Sequence, residues 1–327
     1  MSRSIRTFGL GLLVVSTLST FGFAAERLRV GMAIPSYAHG VLWVARDAGI
    51  FKKHGLDVDV LVLQGSADAM KLLVAEKVDV VLAGGDAMIK ADLAGADLVV
   101  FAGIVNRFFH RIVARPDIQK PEQLKGRVIG LPILGGPQEM AVQVALKRWG
   151  LRYGTDVKVR NMGAEFARLT AVKNGLVDAV TSDAPASVLR KLDLRVLGDV
   201  PAWGDSFPYM MAIARRDFLK KDERRTEAFL KALTEAMEYY RDHEKESVAI
   251  VAKGLGGERA SETEAAELYR QNGPAIFTFP PYPKPDGFKT VLDFLREQDP
   301  KAAAAKPEQF FTDEYLDAAR GTGNKPK

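Results

Sequence analysis

Four histidines, His39, His54, His110 and His243, are the first residues to test for chemistry. They stand far apart, with no helical i, i+4 pair and no accompanying carboxylate motif, so the spacing that presents a metal or a general base is missing. The chain contains no cysteine. That removes thiolate metal sites, structural disulfides, cysteine nucleophiles and a lipid-anchored amino-terminal cysteine. No Gly-x-Ser-x-Gly elbow, Walker loop or strand-bound Gly-x-Gly-x-x-Gly is present either. Gly9-Leu10-Gly11 falls in the amino-terminal apolar run, and Gly254-Leu255-Gly256-Gly257 follows a helical segment, where a cap is the natural role.

What the sequence does supply is a set of small, polar turns. "PSYAHG" (Pro35 to Gly40), "QGSAD" (Gln64 to Asp68) and "AGGDA" (Ala83 to Ala87) come from one half. "LGGPQ" (Leu134 to Gln138), "MGAE" (Met162 to Glu165) and "SDAPAS" (Ser182 to Ser187) come from the other. Their glycines allow the backbone to approach a ligand, and free N–H groups at the following helix starts present a partial positive charge. Ser66, Asp86 and Asp183 equally suit helix caps, and Pro137 suits a first helical position. Tyr37, Phe108, Phe109, Trp203 and Tyr209 are candidate aromatic walls, with core packing as the alternative. Arg107, His110 and Arg111 fall where the chain crosses between halves.

The turns join elements that occur twice. "RLRVGMAIP" (Arg27 to Pro35) predicts a buried strand, Val41 to Phe51 a helix, and then "GLDVDVLVL", "SADAMKLLVAEK" and "VDVVLAGG" a strand, a helix and a strand. From Lys125 the same five elements recur as "GRVIGLPI", "QEMAVQVALKRWG", "DVKVRNM", "AEFARLTAVKN" and "VDAVTSD". Landmarks coincide: Val30-Gly31 with Ile129-Gly130, Gly55-Leu56 with Gly150-Leu151, Gly65 with Gly163, and Val78-Asp79 with Val177-Asp178. Two similar lobes are expected, each ending its strands in ligand-competent loops. From about Arg215 the pattern changes to an amphipathic helix carrying Phe229, Leu230, Leu233 and Met237. A proline-rich loop (Phe277 to Phe288) and a helix near Lys289 to Gln298 follow. The "KAAAAK" segment and the tail "GTGNKPK" are expected to be mobile.

The totals agree with a globular, two-lobed chain: 327 residues, 47% hydrophobic and 27% charged. Arg3 and Arg6 precede an apolar run from Phe8 to Phe23 that closes on Gly22-Phe23-Ala24. This is the layout of a secretory signal over residues 1–25, with cleavage near Ala24 or Ala25. Roughly 16 diluted residues fall short of the ~20 that span a membrane. Removing two arginines leaves 44 basic against 41 acidic residues, a net charge of +3. That weak excess does not call for nucleic acid.

At this point "VARDAGIFKKHGLDVDV", "GSADAMKLL", "VDVVLAGGDA", "IVARPDIQKPEQLKGRVIGLP" and "NGLVDAVTSDAP" resemble the periplasmic substrate-binding proteins of ABC importers, of the sulfonate, nitrate and taurine (thiamine-pyrimidine-like) class. The resemblance runs from about Leu28 to Gly254. It implies an α/β, two-lobed type II binding-protein fold, each lobe a βαβαβ-based sheet with flanking helices. The first lobe would be residues 26–108, the second 109–206, and 207–327 would return to the first. It implies no catalysis and no cofactor or metal, a periplasmic monomer, and delivery of a small anionic or heteroaromatic solute to a permease and its ATPase at the inner membrane. By position, the family's ligand-contacting loops fall on Ser36 and Tyr37, Gly65 and Ser66, Gly85 and Asp86, Gly135 and Gly136, and Asp183. No arginine lies in those loops, which weakens the case for a sulfonate or phosphate against a carboxylate or neutral heterocycle. Related pyrimidine-synthesising enzymes carry a cysteine-rich motif that this chain lacks. Two rivals remain: a periplasmic sensory module handing its liganded form to a receptor or sensor kinase, and a secreted enzyme pairing Asp86 with Asp183 across roughly 5 to 10 Å.

Overall fold

The computed structural model describes residues 25–256, 262–297 and 299–322. The expected leader, apart from Ala25, lies outside the described residues, as do residues 323–327 of the tail. Ten strands form two sheets of five. In chain order they are β1 (Glu26–Met32), β2 (Leu56–Val62), β3 (Val80–Ala83), β4 (Leu98–Arg107), β5 (Arg111–Ala114), β6 (Arg127–Leu131), β7 (Val157–Asn161), β8 (Ala179–Ser182), β9 (Arg195–Gly198) and β10 (Ser206–Arg215).

The two sheets have matching order, β2-β1-β3-β10-β4 and β7-β6-β8-β5-β9. In the first, β1 runs parallel to β2, with Val30 opposite Val60, and to β3, with Val30 opposite Val80. In the second, β6 runs parallel to β7 and β8 in the same way. The continuous apolar runs of the central strand β3 and of the edge strand β4 are buried on both faces, as strands between helical layers require. The repeated βαβαβ order expected from the sequence is the parallel part of each sheet. The fourth position is filled antiparallel by the strand that directly follows a crossing: β10 enters the first sheet and β5 the second. The chain therefore crosses between the sheets twice, from β4 to β5 and from β9 to β10.

Helices follow the strands: α1 (Val41–Asp47), α2 (Ile50–Lys53), α3 (Ser66–Val74), α4 (Gly85–Leu93), α5 (Pro137–Arg148), α6 (Glu165–Lys173) and α7 (Ala186–Lys191). The expected helix Val41 to Phe51 is broken into α1 and α2, because Gly49 adopts φ +74°, a left-handed conformation that ends a helix at little cost to glycine. The carboxyl-terminal part contains α8 (Arg216–Lys221), α9 (Glu223–Asp242), α10 (Glu244–Gly254), α11 (Glu262–Asn272), α12 (Pro285–Leu295), α13 (Pro300–Ala304) and α14 (Glu314–Arg320). The amphipathic stretch is thus two helices, interrupted at His243, whose φ of −124° and ψ of 65° are not helical. The "KAAAAK" segment, expected to be mobile, forms α13 with Ala302 fully buried, held at its start by the Asp299 carboxylate, which accepts from the Lys301 N–H.

Helix α9 ties this return segment to the first sheet. Its Phe229 stacks on Phe51 at 6.2 Å and tilts against Phe101 at 6.0 Å, and Leu230, Leu233 and Met237 are fully buried beside it. Each such side chain stabilises the packing by about 1.5–3 kcal/mol. The site therefore rests on two rigid sheets.

Candidate functional site

The carboxyl ends of the strands of both sheets converge on a cavity of about 40 Å³. From the first sheet come Ala33 and Ile34 after β1, Ser36 and His39 in the following turn, Ser66 at the start of α3, Gly84 after β3, and Tyr209 on β10. From the second come Pro132 and Ile133 after β6, Gly136, Pro137 and Gln138 at the start of α5, and Asp183 after β8; Phe109 and His110 belong to the first crossing. Such a volume holds only a few water molecules.

Contacts across the cavity are close. A Cβ placed on Gly65 would lie 2.7 Å from Ile133 Cδ1, and one on Gly84 would lie 2.6 Å from Pro137 Cγ. Gly65 has φ +97°, so both its backbone and its neighbour across the cleft require glycine. The turn bearing Asp183 is also held from the far side: Gln271 and Asn272 of α11 donate to the Asp183 carbonyl at 3.0 and 2.9 Å, and the Ser187 hydroxyl donates to Glu267 at 2.8 Å.

Of the nine residues singled out from the sequence, Ser36, Ser66, Gly136 and Asp183 are on the cavity wall. Tyr37, Gly65, Gly85, Asp86 and Gly135 stand behind it. Tyr37 is buried, and its carbonyl accepts the Tyr240 hydroxyl at 2.8 Å. Gly85 packs toward Pro208. Gly135 has φ +78° and donates its N–H to Glu139, which shapes the turn ahead of Gly136. The cap role open to Ser66 and Asp86 is not taken. The Ser66 hydroxyl accepts the Gly84 N–H at 3.0 Å, joining two turns, and neither carboxylate oxygen of Asp86 has a hydrogen-bond partner.

Several wall residues were not in that set. Gln138 sits in the first turn of α5, where helical side chains lean back toward the amino terminus and so toward the cleft, and His39 lies in the turn that precedes α1. Tyr209 arrives on β10, from a part of the chain far from the turns. Phe109, His110 and Tyr209 also join the crossings: Phe109 tilts against Tyr209 at 4.5 Å, His110 stacks on Tyr209 at 5.3 Å, and behind them Phe108 stacks on Phe207 at 4.2 Å.

The electrostatics are defined by what is missing. Asp183 is the only charged residue on the wall among the described residues. Burial pushes both wall histidines down to about 4, so each is neutral near pH 7. His39 Nδ1 bonds the Ser36 hydroxyl at 2.9 Å, and the backbone of Leu82 beside the ring opposes the effect of burial. Arg168, 3% exposed, is the nearest buried cation, but its guanidinium is used on Glu165 and on the carbonyls of Gly163 and Thr181. It braces the start of α6 against β8 rather than facing the cavity.

An interdomain-type cavity between two sheets of this order, at the carboxyl ends of their strands, defines a two-sheet α/β binding protein. The chain belongs to the family described as NMT1/THI5 like, whose model matches residues 36–247. A Bacillus subtilis protein named only as a candidate binding protein is 26% identical over 235 residues, covering 69% of this chain and 70% of that one. A solved structure from Bordetella bronchiseptica RB50 superimposes with a TM-score of 0.77 at 23% identity, covering 90% of this chain and 97% of that one. The periplasmic aliphatic sulphonate binding protein of Escherichia coli superimposes with a TM-score of 0.65 at 21% identity, covering 83% and 87%. The fold is that of the periplasmic binding proteins.

Proposed function

We propose that the protein is the periplasmic solute-binding component of an ABC import system, and that its cargo is a small, nitrogen-bearing heteroaromatic rather than a sulfonate or nitrate. The two sheets act as lobes, residues 26–108 with 207–327 and residues 109–206, hinged at the two crossings. A solute larger than the closed cavity enters as they part and is enclosed as they meet. The curated relatives, named as binding proteins, support capture over catalysis. Delivery to a permease and its ATPase is carried over from the family likeness.

The observation that carries the choice of cargo is the wall itself: one carboxylate, neutral histidines and no cation. A buried anionic solute would face Asp183 with no positive side chain to offset its lost hydration. A neutral ring with an N–H group would instead give Asp183 a charge-assisted donor, and Phe109 and Tyr209 offer it aromatic surface.

The test is a thermal-shift panel on the leader-free protein, with ethanesulfonate and nitrate against cytosine, uracil and riboflavin. A solute at about 100 times its Kd adds roughly 2.7 kcal/mol, a midpoint rise of about 5 °C for a chain of this size. Stabilisation by a heteroaromatic and not by the anions is expected. Stabilisation by ethanesulfonate or nitrate alone would overturn the reading.

A further inference from the structure

Four polar groups on four separate elements form one hydrogen-bonded chain beside the cavity. Thr181 on β8 bonds Gln138 Oε1 at the start of α5, Gln138 Nε2 lies 2.9 Å from His110 Nε2 in the first crossing, and His110 Nδ1 lies 3.0 Å from the Tyr209 hydroxyl on β10. All four residues are buried.

Such a chain has two self-consistent polarities, because both an amide and a neutral imidazole can be turned end for end. In one, Thr181 donates to the Gln138 carbonyl, the Gln138 amide donates to His110 Nε2, and His110 Nδ1–H donates to the Tyr209 oxygen. The Tyr209 proton is then free to point into the cavity. In the other, every donor is reversed and Tyr209 spends its proton on His110. The second polarity leaves the Thr181 hydroxyl proton with no acceptor, since Gln138 is its one side-chain partner and would face it with N–H groups. A buried donor without an acceptor costs more than an unused oxygen lone pair, so Thr181 decides the direction. The Thr181 backbone is itself fixed, because Arg168 Nε donates to its carbonyl at 3.2 Å.

We propose that Gln138 is a positioning residue that holds His110 as its Nδ1–H tautomer and so turns the Tyr209 hydroxyl proton toward the cavity, where a solute must present an acceptor to Tyr209 and a donor to Asp183. The demand on the solute rests on the cavity being the solute site; the tautomer does not. The same cavity contains its own control. His39 Nδ1 lies 2.9 Å from the Ser36 hydroxyl and its ring lies beside the Leu82 backbone, surroundings that favour the opposite, Nε2–H, tautomer.

The experiment is proton–nitrogen correlation NMR of the histidine-labelled, full mature chain without added solute, with His110 assigned from the signal lost in His110→Asn. The expected result is Nδ1–H for His110 and Nε2–H for His39. Thr181→Val removes the deciding proton and keeps the shape, and should populate the Nε2–H form of His110 to a comparable level. Thr181→Ser should restore the wild-type pattern, and neither variant should change His39. Gln138→Met should release His110 in the same way. If that variant does not fold, the Thr181 pair decides alone. An Nε2–H His110 in the wild type, or a tautomer indifferent to Thr181→Val, overturns the proposal. An Nδ1–H His110 in a protein that no heteroaromatic stabilises would leave the tautomer standing and refute the cargo; a heteroaromatic bound beside an Nε2–H His110 would do the reverse.

Discussion

Replacing Asp86 with asparagine should stabilise the protein, and by an amount that depends on pH. The side chain is 1% exposed at the start of α4, and neither oxygen is hydrogen-bonded. Burial raises its carboxyl from 3.8 to about 6; Lys90 Nζ at 4.0 Å and the N–H groups of Ala87 and Asp86 act against that rise without reaching hydrogen-bond geometry, and Glu139 of α5 reinforces it. At about 1.36 kcal/mol per pH unit, the difference between 3.8 and about 6 amounts to roughly 3 kcal/mol. The sign follows from linkage. The folded state holds this proton more tightly than the unfolded state, so the destabilisation is complete above about pH 6 and is relieved as pH falls toward 3.8. Asp86→Asn removes the charge at every pH. Urea unfolding of both proteins at pH 8 should show the variant more stable by about 2–3 kcal/mol, a gain that shrinks toward zero near pH 4. A stability difference that is flat with pH, or a variant less stable at pH 8, would refute the argument that an unpartnered buried carboxylate is tolerated here at a cost.

Two further substitutions separate binding from folding. Gly136 has extended backbone that any residue adopts, and a Cβ there would meet nothing nearer than Ile133 Cγ2 at 4.0 Å; Gly136→Leu should therefore fold with a stability within ~1 kcal/mol of wild type, fill the cavity, and abolish the thermal shift given by the stabilising panel compound. Gly84 has φ −67° and ψ 131°, a backbone open to alanine, but the added methyl would sit 2.5 Å from Asp86 Oδ1, which must shift, and 2.6 Å from the rigid Pro137 ring across the cleft, so Gly84→Ala should hold the lobes apart, seen as a larger radius of gyration in small-angle scattering and an affinity at least about tenfold weaker. An unchanged radius and affinity for Gly84→Ala would show that the lobes do not close against Pro137.

The parallel half of each sheet was legible because its evidence is local: apolar runs of strand length, glycine landmarks at strand ends, and helices at the right spacing. The antiparallel strands β5 and β10 were not, since nothing in "RIVA" or "SFPYMMAIAR" says that each follows a crossing and inserts antiparallel between strands distant in sequence. That non-local exchange also brings Tyr209 to the cavity, and explains why a reading built on turns reached Ser36, Ser66, Gly136 and Asp183 while offering Tyr209 only as a candidate aromatic wall, with no place for its hydroxyl. Gly85 and Asp86 illustrate a finer limit. The turn "AGGDA" was correctly placed at the cleft, but the close approach falls on Gly84, one residue earlier, and α4 carries Gly85 and Asp86 behind the wall. Register within a turn is decided by packing from the other side, here by Pro137 and Pro208.

Three of the residues that line the cavity, Phe109, His110 and Tyr209, also join the crossings, so on the proposed function capture would be coupled to closure. Asp183 belongs to the second sheet, Tyr209 to a strand of the first, and His110 to the segment between them. A solute bonded to both Asp183 and Tyr209 makes its full set of contacts only when the sheets are together. Its differential affinity for the closed form is then the whole of its leverage on the hinge. The wall glycines permit the approach, and the polar chain from Thr181 to Tyr209 runs across the same seam, with two members on the second sheet, one in the crossing and one on the first. Parting the lobes must stretch or break that chain at His110. On the proposed function, opening would then release the Tyr209 proton from its fixed direction as it uncovers the solute, so the donor proposed to select the cargo would be set only in the form that encloses it.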